Sequence, residues 1–303
     1  MSDVASVPTG VWRPTALTDA LLAPPATGLA TGELDRLRAD LVRELAAVID
    51  DLPPGEQLVL DAHRLRLATT DPERCAGDGE FAPSPRLTKR AIGVTAVARW
   101  VRGHAVAPSA GVRDVLAAGL DDLVAAADPA LAGAVRPPWW AEWYAELGPG
   151  GRAVVEAEAV TWATQLATAL RWERIDPPPV VGGRDDWWQC PGACQLTLKG
   201  RAEVRAPVPA AGGRQALVLV ASGIPGLAWR TELGFAALVA SLVRGERGAP
   251  VRSVGWWPAC GQLRVLEVDG PSLAEAGKVV VAATATWVDA RIERRRAPTP
   301  TGR

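Results

Sequence analysis

Apolar residues recur at helical spacing through the first half of the chain and at strand spacing through much of the second. From residue 31, Leu34, Leu37, Leu41, Leu45 and Val48 fall three or four apart, with Asp, Arg and Glu opposite. That pattern predicts an amphipathic helix. Pro53, Pro54 and Gly55 end it, since proline cannot continue a helix. A second helix is expected over residues 56–68, followed by a polar loop to residue 85. A third, residues 89–103, carries Ile92, Val94, Val97 and Val101. A fourth opens at Pro108 with Val112, Val115, Leu116, Leu120 and Leu123 as its stripe. After an aromatic cluster (Trp139, Trp140, Trp143, Tyr144) and the break Pro149-Gly150-Gly151, residues 152–170 present Val155, Ala159, Trp162, Leu166 and Leu170.

The pattern changes beyond Pro177-Pro178-Pro179. Short runs with strand character lie at residues 194–198, 202–205, 216–220, 251–257 and 262–268, separated by Gly and Pro turns. The run ALVLV is apolar throughout, as suits a central strand covered on both faces. Helices are expected over residues 232–243 and 272–294, the latter with Leu273, Ala276, Val280, Ala283, Trp287 and Ile292 inward. The expected fold class is α/β (α+β): a helical N-terminal half, then a small mixed central sheet flanked by helices. The expected divisions are a flexible arm (1–30), a helical region (31–150), an α/β core (151–293) and a disordered basic tail (294–303).

Composition narrows the function classes. A formal net charge of −1 gives no global basicity, so any nucleic-acid contact must come from local patches. The N-terminus lacks a basic region followed by an apolar run, and no apolar stretch approaches the roughly 20 residues of a membrane span. No membrane partner is expected. Four Cys are too few for a disulfide scaffold, which points to a reducing cytoplasm. Cys190 and Cys194 form a C-x₃-C rather than the C-x₂-C of zinc knuckles, and with Cys75 and Cys260 they read as buried or free thiols. His63 and His104 lie near no Cys or Ser nucleophile motif. No GxxxxGK[ST] and no helix-opening GxGxxG occurs, so ATP and NAD have no support. Thirteen Trp against two Phe and one Tyr are expected to fill aromatic core positions, including at least one of Trp256 and Trp257.

Three pieces fall in a telling order: LTLKGRAEVR (residues 196–205), ALVLVASGIPG (216–226) and WRTELGFAALVASLV (229–243). Together they resemble the RecB-like branch of the PD-(D/E)XK nucleases. In that family a hairpin delivers a GxxD-type acid, and the next strand ends in Asp-x-Lys and Gly. A downstream helix opens with a Gln-to-Tyr motif. Two acids hold Mg²⁺ with positions open to phosphate and water, and the Lys serves the attacking water. Here Gly200-Arg201-Ala202-Glu203 matches the hairpin motif with Glu for Asp. Aligned on Gly223, Leu219 stands where the second acid belongs and Ala221 where the Lys belongs. The segment 232–237 stands for the helix motif, and Val97, downstream of Gly93, takes the place of an upstream His.

A Leu and an Ala neither bind Mg²⁺ nor transfer a proton. The resemblance therefore implies a pseudo-nuclease: remnant acid Glu203, lost positions Leu219 and Ala221, no catalytic residues and no metal. It implies a DNA-binding or scaffolding subunit in DNA repair or genome defence, partnered by a helicase or nuclease subunit. Lys199, Arg201, Arg205 and Arg230 are the expected phosphate contacts. One alternative is a protein–protein adaptor without DNA. Another is an active Mg²⁺-dependent nuclease with acids displaced to Glu156, Glu158, Asp185 or Asp186. A polar loop is the expected setting of the last two.

Overall fold

The computed structural model describes residues 16–52, 55–77, 85–128, 134–221 and 223–296. The expectations for the first half of the arm, for Ser222 and for residues 297–303 of the tail lie outside these.

Helices α1 (Ala16–Leu22) and α2 (Glu33–Ile49) come first, and α2 buries Leu34, Leu41, Leu45 and Ile49 on the face its spacing predicts. The single helix expected over residues 56–68 is instead a strand, β1 (Leu58–Asp61), and then α3 (Ala62–Thr70). The reason is local. Leu58 and Leu60 alternate inward, and Asp61 caps α3 by accepting a hydrogen bond from the Arg64 N–H at 2.8 Å. Next come α4 (Pro72–Ala76), α5 (Pro85–Val101), α6 (Pro108–Ala127), α7 (Ala141–Glu146) and α8 (Pro149–Ala169). Pro149 and both glycines of the expected break form the first turn of α8, where proline lacks only a donor that would be unpaired anyway.

Strands β2 (Val180–Val181), β3 (Asp186–Gln189), β4 (Leu196–Gly200), β5 (Val204–Pro207) and β6 (Gln215–Val220) follow. The chain closes with α9 (Trp229–Gly248), β7 (Arg252–Trp257), β8 (Gln262–Glu267) and α10 (Gly270–Arg296). Arg294, Arg295 and Arg296, assigned to the tail from sequence, are the last turn of α10.

The strands build two sheets, ordered β1-β4-β3 and β2-β5-β6-β7-β8. Pairing is parallel at β6/β7, joined by the crossover helix α9, and antiparallel elsewhere in the larger sheet. The expected hairpin over residues 196–205 is not one. β4 pairs with β1 and β3, whereas β5 pairs with β2 and β6. The three residues after Gly200 step between the sheets. The true hairpin is β5/β6.

Helix α9 lies between the sheets, and its residues 233–242 are all buried. Phe235, Leu238 and Val239 pack with Leu196, Leu198 and Trp188 of the small sheet. Ala240 meets Leu217 and Ala202 on the other side. A Cβ on Gly200 would stand 2.8 Å from that of Val239, so only glycine lets β4 approach α9 this closely. On its opposite face the large sheet sets Val204, Ala216, Val218, Val220, Val254 and Trp256 against α1, α5, α6, α7 and α8. β6 is thus central and covered on both faces, each buried Leu or Val contributing roughly 1.5–3 kcal/mol of transfer free energy. α2, α3 and α10 enclose the second cluster. No helix among the described residues is long and apolar enough to cross a membrane.

Candidate functional site

The step from β4 to β5 places Glu203 one residue before β5, under α5. Its side chain is fully buried. One carboxylate oxygen accepts the Val220 backbone N–H at 2.8 Å. The other accepts Arg90 Nε at 3.0 Å and a second Arg90 guanidinium N–H, and it lies 3.2 Å from Arg201 Nε. Val220 sits between Leu219 and Ala221. The Glu203 carboxylate thus lies at the end of β6, beside Leu219 and Ala221. Charge at that point is balanced by two guanidinium groups.

Leu219 packs against the cluster of Ala202, Leu217 and Ala240, and the Ala221 N–H donates to Trp256 O at 2.8 Å. Both positions are thus absorbed into packing and sheet pairing. Of the alternative acids, Glu158 pairs with Lys89 at 3.1 Å on the helical side. Asp186 is not in a polar loop. It opens β3, is buried, and holds Arg205 at 2.9 Å and Arg244 at 3.1 Å. Among the described residues no three His, Cys, Asp or Glu side chains group as a metal ion would require. One carboxylate with both oxygens engaged, beside two aliphatic side chains, does not fit a divalent cation that needs several oxygen ligands.

Beside Glu203 opens a cavity of about 290 Å³, lined by Ala91, Val94 and Thr95 of α5, the loop Gly182-Gly183-Arg184-Asp185, and Arg201, Ala202 and Glu203. Gly182 has φ +63°, and a Cβ there would lie 2.8 Å from Val94, which is how the loop comes so near the helix. The expected cationic residues divide. Lys199 pairs with Asp185 at 3.2 Å and lies 4.8 Å over the Trp187 ring. Arg201 is exposed at the cavity rim. Arg205, expected beside a phosphate, is only 4% exposed and committed to Asp186, because β5 points it into the interior. Arg230 stands apart, over the Trp229 ring and at a second cavity of about 330 Å³ with Glu267, Asp269 and Glu275. So Lys199 and Arg201 share a surface, while Arg205 and Arg230 do not join it.

Arg90, Arg184 and Trp187 escape the sequence reading. For Trp187 a signal exists: DWWQ between Gly-Gly and Cys-Pro-Gly has strand length and composition, and it alternates buried and exposed. Arg90 carries no local signal, since its partner is 113 residues away. Trp256 and Trp257 are both buried, so neither is presented to a base. The four cysteines are free; burial pushes the Cys75 and Cys190 thiols up to about 11. No protein-family model, no characterised protein and no solved structure matches this chain.

Proposed function

We propose that the chain is a catalytically degenerate, RecB-like pseudo-nuclease that serves as a DNA-binding or scaffolding subunit in DNA repair or genome defence. The observation that carries the reading is the Glu203 carboxylate, brought by the crossing from β4 to β5 to the end of a central strand and there neutralised by Arg90 and Arg201. A metal-dependent nuclease needs that carboxylate for its cation. A protein that keeps the scaffold and replaces the cation with guanidinium groups retains a positively charged neighbourhood without hydrolytic chemistry. Lys199, Arg201 and Arg184 supply cations near the same cavity.

The test is DNA affinity measured without metal at about 50 and 200 mM salt, because each neutralised phosphate steepens the salt dependence. Salt-sensitive binding supports the reading, and absence of binding at the lower salt refutes its DNA half. The adaptor reading has one observation in its favour: Ile224 and Leu227, on the connection from β6 to α9, are 74% and 103% exposed. If partner contact is the function, Ile224→Glu with Leu227→Glu abolishes retention of the partner and leaves DNA affinity unchanged.

A further inference from the structure

We propose that the cavity rim and the outward face of β3 and β4 form a binding site for single-stranded nucleic acid, with Trp187 as the base-stacking platform. This rests on the DNA-binding reading and adds the strand state of the ligand and the residue that recognises it. Trp187 is 54% exposed although its neighbour Trp188 is buried. Lys199 covers part of this indole, and the rest of the ring stands open on an edge strand, where its apolar surface is a cost unless something covers it. Trp187 and Lys199 are register partners in the β3/β4 ladder, with the ammonium over the ring. Lys199 pairs with Asp185, which lines the cavity together with Arg184 and Arg201. The aromatic platform and the cationic cavity are thus one continuous surface.

Charge complementarity favours a polyanion. Around the cavity Arg90, Arg184, Lys199 and Arg201 stand with Asp185 and Glu203, a surplus of two positive charges in a chain of net charge −1. Single strands expose bases to stack on an indole and phosphates to meet Arg184, Lys199 and Arg201. A duplex hides its base faces, so it would gain only the electrostatic part.

The full chain is titrated into a labelled oligothymidylate of about 12 nucleotides and into a duplex of equal length, with anisotropy as readout. Trp187→Ala weakens single-strand binding about thirtyfold, the middle of the range for losing one stacked base, and leaves duplex binding unchanged. Trp187→Phe retains most of the affinity, and Trp139→Ala, at another exposed indole, has no effect. Arg184→Ala weakens both ligands and flattens the salt dependence. Binding that survives Trp187→Ala overturns this inference and leaves the DNA-binding reading standing. Equal loss for single strand and duplex overturns the stacking role. Failure of the wild-type chain to bind either ligand overturns both readings.

Discussion

Replacing Glu203 by Ala separates a structural ion pair from a metal ligand. The change deletes a fully buried carboxylate and strands three donors: the Arg90 and Arg201 guanidinium groups and the Val220 N–H. Removing one partner of a buried pair costs about 3–5 kcal/mol. Here Arg90 and Arg201 are 31% and 48% exposed, so they regain water and the lower end applies. The buried Val220 N–H adds about 1 kcal/mol. Glu203→Ala should therefore lose about 3–4 kcal/mol, and Glu203→Gln, which keeps an acceptor for Val220, roughly half of that. In a chain of this length that is a fall in Tm of about 6–10 °C for the Ala variant. Thermal and urea unfolding followed by circular dichroism measure both, with the urea slope unchanged if only stability moves. An acid kept for metal binding behaves oppositely: without its cation it is a liability, and the amide stabilises. A Glu203→Gln variant more stable than wild type, or a loss below about 1 kcal/mol for Glu203→Ala, refutes the reasoning.

Three further outcomes are expected. Asp186→Ala leaves the buried Arg205 unpaired and costs about 3–5 kcal/mol, while Asp185→Ala, at a partly exposed pair, costs under about 1; comparable urea midpoints would contradict the placement of Asp186. Gly200→Ala forces a Cβ to within 2.8 Å of Val239 and costs about 1–3 kcal/mol by urea titration, and an unchanged midpoint would mean β4 does not lie against α9. The buried thiols of Cys75 and Cys190, raised from 9.0 to about 11, stay protonated in the native state where the unfolded chain releases protons, so stability falls as pH rises from about 9 towards 11. At pH near 8 a thiol reagent should modify the exposed Cys194 and Cys260 and spare the other two until denaturant is added; rapid modification of all four would contradict their burial.

The helices were legible because their apolar stripes repeat over several turns, and β6 because its residues 216–220 are apolar throughout. β1 was hidden because four residues give alternation too short a run to stand out from the helix that follows, and pairing with the distant β4 is what fixes it as a strand. The hairpin over residues 196–205 was misread for the same reason. Gly200 looks like a turn, but it serves a crossing between sheets forced by α9. Glu203 was found from its motif, whereas its neutralisation by Arg90 is a contact across 113 residues that periodicity cannot encode. Gly93 has a packing reason independent of any motif: a Cβ there would lie 2.5 Å from the Trp162 ring.

The central claim is tested most directly by one titration read in two channels. Labelled single- and double-stranded DNA is incubated with the chain in Mg²⁺ or Mn²⁺; anisotropy reports the complex and a denaturing gel reports the strand. The account predicts a salt-sensitive complex with intact DNA in every lane. Metal-dependent cleavage that disappears in Glu203→Ala would contradict it.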